Sequence, residues 1–88
     1  MNYTTLKGIV SKVKERNFEV DNVVIGLVVP VQGLSNEVKE GYEVFVEGTL
    51  GYSISHKKMW INSTSIIVTK INKIYLEQKE ITEEVDFL

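Results

Sequence analysis

Apolar and polar residues alternate through residues 42–50. Tyr42, Val44, Val46 and Leu50 share one parity, and Glu43, Glu47 and Thr49 the other. A period of two is the signature of a strand with one buried face. Gly48 interrupts the apolar row, which predicts a bulge or a sharply coiled strand at that point. Residues 59–68 predict a second strand, and residues 51–58 between them form a polar loop carrying Tyr52, His56, Lys57 and Lys58. Upstream, residues 1–14 space Tyr3, Leu6, Ile9, Val10 and Val13 through Thr, Lys and Ser, without a helical stripe, and so predict a strand. Leu6 and Ile9 are out of phase by one residue, and a bulge at Gly8 would restore the phase and bend the strand. Glu15-Arg16 predicts a tight turn.

Residues 17–29 contain an apolar run split by Asp21-Asn22, two residues that tolerate positive φ and predict a two-residue hairpin turn. After it, Val23, Ile25, Leu27 and Val29 make up a buried parity. Val24 and Val28 on the other parity imply a strand covered on both faces or lying at an interface. Pro30 ends the ladder. Residues 31–41 predict a single helical turn with Ser35 as N-cap and Gly41 as the stop. Beyond Thr69, Ile71, Ile74 and Tyr75 extend the last strand or begin a short helix.

Five strands with a short helical turn between the third and fourth predict an all-β chain. The architecture that fits is a five-stranded Greek-key barrel of the oligonucleotide/oligosaccharide-binding type, the OB-fold. A seven-stranded sandwich would need more chain, and an SH3-like barrel is the runner-up. The barrel is expected over residues 1–75 and an acidic C-terminal tail over 76–88.

Charge divides the same way. The 88 residues carry a net charge of −2, but residues 1–75 hold nine Lys/Arg against seven Asp/Glu, and residues 76–88 hold Lys79 against five acids. A faintly basic body with an acidic end is a modest pointer to a polyanionic ligand. With no cysteine there is neither a disulfide framework nor a thiolate metal site, and His56 is the only histidine. The expectation is therefore a chain without metal or cofactor. No apolar run approaches membrane-spanning length, so a cytoplasmic protein with no membrane partner is expected.

The six glycines occur singly, which excludes a phosphate-binding glycine loop. Glu43 and Glu47 stand about 13 Å apart at ordinary strand rise, too far for a glycosidase carboxylate pair. No nucleophile with a neighbouring base appears, so no catalytic residue and no enzymatic function is expected.

Single-stranded nucleic acid asks for less: cations for phosphates and aromatic faces for bases. Lys7, Lys12, Lys14, Arg16, His56, Lys57 and Lys58 are the expected backbone contacts, with Lys70 and Lys73 further along. In an OB barrel the first hairpin and the loop between the last two strands flank the groove. Arg16 and the His56-Lys57-Lys58 run fall in those places. Lysines on strands also discourage edge pairing, so the type alone is not diagnostic. Tyr52, Trp60, Phe45 and Phe18 are the aromatic candidates. Trp60 faces outward if Met59 and Ile61 are core, and inward if a bulge intervenes.

Three stretches carry a family resemblance. Lys39-Glu40-Gly41-Tyr42-Glu43-Val44-Phe45-Val46-Glu47-Gly48-Thr49-Leu50 resembles a stretch of bacterial and phage single-stranded-DNA-binding proteins, in which a basic-Gly turn leads into a Val-aromatic-Val strand. Leu6-Lys7-Gly8-Ile9-Val10 is similar to their opening strand, and Glu83-Glu84-Val85-Asp86-Phe87-Leu88 resembles their acidic partner-docking tail. The chain departs from the pattern in having no proline in the tail and in placing Phe87 penultimate. A small phage or mobile-element version of the family fits best. The resemblance implies an OB-fold protein that coats single-stranded DNA in replication or recombination, is a homo-oligomer, and docks replication or recombination proteins through residues 83–88. The alternatives are a protein-interaction or oligomerisation module using the Val24/Val28 face, and an RNA-binding OB domain.

Overall fold

The computed structural model describes residues 2–71. They form six strands: β1 (Tyr3–Ser11), β2 (Asn17–Val20), β3 (Val23–Gly26), β4 (Val31–Gly33), β5 (Glu43–Ser53) and β6 (Lys58–Lys70). Five of them close on themselves. β1 pairs antiparallel with β2 and with β5, β2 with β3, and β5 with β6, while β3 meets β6 in parallel. The result is an all-β, closed five-stranded barrel consistent with an OB-like barrel, with β4 added in parallel at the outer edge of β6. The acidic tail expected over 76–88, and the continuation through Ile74 and Tyr75, lie outside the described residues.

The alternation read from the sequence is the barrel's inside and outside. Val44 and Val46 of β5 are fully buried, as are Phe18 and Val20 of β2, Ile25 of β3, and Ile61, Ile66 and Val68 of β6. They pack with Val10 and Tyr42 into one core, against which Leu6, Leu27, Val29, Val38 and Leu50 lie partly buried. Burying a side chain the size of Phe18 contributes about 2–3 kcal/mol, and only one core of this kind is within reach of so short a chain.

The β2–β3 hairpin turns at Asp21-Asn22, where φ is +49° and +66°. Two positive φ values match the right-handed strand twist that a two-residue hairpin needs, and Asp and Asn reach them at low cost. At the first hairpin the Lys14 N–H donates to the Asn17 carbonyl across Glu15-Arg16 (2.8 Å), so that turn forms as well.

A bulge lies beside Gly48. The β5–β6 register steps between Glu47, opposite Ser65, and Gly48, opposite Ser63, leaving Thr64 as the extra residue. A Cβ on Gly48 would run into the Asn62 carbonyl and the Cα of Ser63 at 2.8 Å. The glycine lets two backbones approach where the strands coil most strongly. The extra residue also switches the inward parity of β6, from Ile61 and Ser63 to Ile66 and Val68.

Two local expectations are corrected. No bulge occurs at Gly8, because β1 and β5 stay in continuous register from Tyr3–Thr49 to Ile9–Glu43. Leu6, Gly8 and Val10 share the inward row, and Ile9 points outward. A side chain at Gly8 would begin 2.6 Å from Val20 Cγ1, so this glycine makes room for β2. Second, the helical turn in residues 31–41 does not form, and no helix occurs among the described residues. The Ser35 hydroxyl does accept a bond from the Glu37 N–H (3.1 Å), as an N-cap would. Too few residues follow to repay helix nucleation. The backbone instead bonds elsewhere, with the Leu34 N–H on the Val68 carbonyl (2.9 Å) and the Gly41 N–H on the Val10 carbonyl (3.0 Å).

Candidate nucleic-acid interface

The outward residues of the barrel separate into two surfaces. One covers β1, β5 and the distal half of β6. Lys7, Phe45 and Ile67 are cross-strand neighbours there. Lys7 Nζ lies 3.7 Å from Glu43 Oε1, which also accepts a bond from the Thr69 hydroxyl (2.8 Å). The Tyr3 hydroxyl bonds Glu47 Oε2 (3.2 Å). Glu43 and Glu47 thus fall on this side, and Lys7 is already matched to an acid.

The other surface is the outer face of β2, β3 and the start of β6. Its cross-strand neighbours are Asn17 and Gly26, Glu19 and Val24, and Val24 and Trp60. Gly26 has no side chain, and the Trp60 ring fills the space: Nε1 and Cζ2 lie 3.4 Å from where a Cβ would begin. His56 stacks obliquely on the same indole, ring centroids 5.3 Å apart and planes tilted by 55°. The imidazole is held from behind, with Nδ1 3.0 Å from Ser53 Oγ and 3.2 Å from Ser55 Oγ. Trp60 is therefore outward, as its parity permits, and half-buried by Gly26 and His56. The bulge at Thr64 lies beyond it and leaves this part of β6 in phase.

Val24 is 1% exposed yet stands apart from the core cluster. It lies on the outer face between its neighbours Glu19 and Trp60. Beside it Glu19 is 9% exposed. Lys58 Nζ donates to Glu19 Oε1 at 2.8 Å and Lys12 Nζ approaches the same oxygen at 3.9 Å. The Lys58 bond is the main reason the Glu19 carboxyl titrates below its ordinary value; burial opposes it, and the charges of Lys12, Lys58 and Lys14 add to it. The same bond raises the Lys58 ammonium above its own. Lys12 sits at φ +49°, where the chain leaves β1. Arg16 sits at the far end of the hairpin, its carbonyl taking the Leu27 N–H (2.9 Å).

The expected cations and aromatics thus meet only in part. Lys12, Lys14, Lys58, His56 and Trp60 belong to the β2–β3–β6 face, with Arg16 and Lys57 in the turns beside it. Lys7 and Phe45 lie on the other surface: Phe45 pairs with Ile67, seven residues from Trp60, about 23 Å at ordinary strand rise. Phe18 is fully buried, which removes it as a stacking residue.

Tyr52 pairs with Met59, and Gly51 with Trp60. Directly opposed residues share a face and successive ones alternate, so Tyr52 and Trp60 occupy opposite faces of the β5–β6 ladder, which continues beyond Trp60 as a two-stranded arm. Tyr52 is 62% exposed and Met59 41%. The Val24/Val28 face also dissolves, because β3 ends at Gly26 and leaves Val28 exposed beyond it.

Glu19 carries much of this face, and the sequence does not single it out; Val24, read from the sequence as covered on both faces or at an interface, is covered. Glu19 looks like any outward acid between Phe18 and Val20; the turn at Glu15-Arg16 places Lys12 near it, but nothing local signals Lys58, which comes from β6. Among the described residues no three His, Cys, Asp or Glu side chains converge as metal ligands would. Compared with known proteins, the chain matches no family model, no curated protein and no solved structure. Its own surface chemistry is the ground for a functional reading.

Proposed function

We propose that the chain is an OB-fold protein that binds single-stranded DNA, without catalysis, on the outer β2–β3–β6 face. The observation that carries this reading is the juxtaposition of a half-buried indole, braced by Gly26 and His56, with Lys12, Lys14 and Lys58. A base stacks on the exposed part of the aromatic pair while phosphates follow the cations, and Arg16 and Lys57 extend the track at the two turns. Coating of strands in replication or recombination, a homo-oligomeric state and partner docking by residues 83–88 belong to the same proposal through the family resemblance. RNA competes for the role, since stacking platforms accept both polymers.

Trp60 is the only tryptophan, so its fluorescence reports on the site directly. Titration with oligothymidine is expected to quench it, with log K falling by roughly two to three per decade of salt for three or four phosphate contacts. An unchanged signal at micromolar strand in low salt would reject the reading. Oligouridine titrated alongside separates RNA from DNA.

A second reading, a protein-interaction module, draws on the arm. Tyr52 and Met59 share one face there, and Ile54 at the tip is 84% exposed. Exposed apolar residues grouped in this way favour a protein contact. Light scattering of the wild type and of Ile54→Ser tests it, and a concentration-dependent assembly lost in the variant would favour it.

A further inference from the structure

This inference rests on the nucleic-acid reading and deepens it. Two cations of the β2–β3–β6 face already share an acid. Lys58 Nζ is 2.8 Å from the Glu19 carboxylate and Lys12 Nζ is 3.9 Å from it. Lys14 is near enough for its charge to act on the same group. The Glu19 side chain is only 12% exposed, so it is a fixed feature of the face, whereas the Lys12 side chain is 62% exposed and reaches the acid at long range. No second carboxylate bonds these lysines among the described residues.

A carboxylate and a phosphodiester present the same thing to an ammonium group: one negative charge spread over two oxygens. We propose that Glu19 is a built-in competitor for phosphodiester. Its carboxylate gathers Lys12 and Lys58 on the face, and a strand phosphate binds by drawing Lys12 off it while Lys58 stays.

The lysine side chain suits this exchange, being a point charge on a flexible four-carbon stem that can swing between two acceptors. Lys12, exposed and loosely held, is the first to transfer. Lys58, hydrogen-bonded and more covered, keeps Glu19 compensated while that happens. Moving an ammonium from Glu19 to a phosphate gives up one ion pair to make another, and the Glu19 charge, then less fully compensated, repels the strand. Affinity is therefore set below what the same lysines would give alone, and the strand is released readily.

The test is a Trp60 fluorescence titration with oligothymidine over a salt series, on the wild type, Glu19→Gln, Lys12→Gln and the double variant. Glu19→Gln keeps the side-chain shape and an acceptor for Lys58 while removing the charge. It is expected to bind about tenfold tighter at low salt, the scale of one nearby unit charge partly screened. Lys12→Gln is expected to cost less than about threefold in the wild type and more in the Glu19→Gln background, where the lysine is no longer shared. Wild-type binding with Glu19→Gln unchanged or weaker would overturn this inference and leave the nucleic-acid reading intact. No binding by wild type or by folded Glu19→Gln would reject both. Should Glu19→Gln fail to fold in a thermal melt, Lys12→Gln alone decides: a loss above about threefold would show Lys12 uncommitted to Glu19 and overturn the inference.

Discussion

The imidazole of His56 stands 5.3 Å from the Trp60 indole, centroid to centroid, and is fixed there by Ser53 and Ser55. Two aromatic rings from the last hairpin thus form one oblique platform, with Gly26 as its floor. His56→Ala removes half of it at an exposed position. Iodide is expected to quench Trp60 more efficiently in the variant, and oligothymidine binding to weaken by roughly three- to tenfold, within the usual range for one stacking side chain. Stability should change by no more than about 0.5 kcal/mol, as for most surface substitutions. Unchanged quenching would mean that His56 does not shield the indole.

Phe18 and Phe45 separate packing from surface. Phe18 is fully buried at the centre of the core, while Phe45 points outward beside Lys7 and Ile67. Phe18→Ala should cost about 3–5 kcal/mol in chemical denaturation and leave the chain largely unfolded. Phe45→Ala should cost well under half of that. Neither side chain lies on the β2–β3–β6 face, so oligothymidine binding by Phe45→Ala should equal that of the wild type. A large binding defect in that variant would move the interface to the β1–β5 surface.

The Glu19–Lys58 pair makes a contribution to stability that depends on pH. The Glu19 carboxyl is held below its ordinary 4.5, chiefly by the Lys58 bond. Its contribution is complete above the unfolded value and is lost as pH falls through the lowered folded one. The Lys58 ammonium is held above its ordinary 10.5 by the same bond. That contribution is complete below the unfolded value and is lost as pH rises through the raised folded one. Urea midpoints measured from pH 6 down to pH 3 should therefore fall more steeply in the wild type than in Glu19→Gln. Parallel acid limbs would show that the pair is not coupled to folding.

Gly48 has no room for a methyl group. An added Cβ would collide with the Asn62 carbonyl and with Ile61 Cγ2 at 2.8 Å, and most of what it meets is backbone. Gly48→Ala is expected to lower stability by about 2–4 kcal/mol, in the range of overpacking and backbone displacement combined. A thermal melt reads the loss. A variant as stable as the wild type would mean that the bulge at Thr64 moves freely.

Asn22 offers the opposite outcome. It sits at φ +66° in the two-residue turn, a conformation glycine adopts without steric cost. Asn22→Gly is expected to raise stability by up to about 1 kcal/mol in urea denaturation, since Asp-Gly is a preferred pair for this turn. A loss of more than that would assign the Asn22 side chain a bonding role.

The strands were legible in the sequence because a barrel imposes a simple rule on each one. Val44 and Val46 inward against Glu43 and Glu47 outward is visible without any knowledge of neighbours. The Asp21-Asn22 turn and the irregularity at Gly48 are local in the same sense. What escaped depends on long-range register. β4 is three residues long and exists only because β6 offers it an edge. The spacing of Leu6 and Ile9 suggests a bulge, yet Ile9 is simply an outward apolar residue. Ser35 carries a cap signal and makes the cap bond, but the flanking Leu34 and Gly41 N–H groups bond β6 and β1. At the candidate site, the aromatic and basic residue types were readable. Their division between two surfaces was not, because it follows from which residue of β5 faces which residue of β6. Glu19 escaped for the same reason, since Lys58, its hydrogen-bonded partner, reaches it from β6.

The β5–β6 seam begins at the core and continues out along the arm, past the point where any other strand accompanies it. A chain cut at the arm's tip, between Ser53 and Lys58, would leave two fragments that share one long backbone ladder. The first would carry β1 to β5, the second all of β6. Such pieces are natural partners for reassembly in trans, and the tip is where a reporter or a tether could be inserted without entering the barrel.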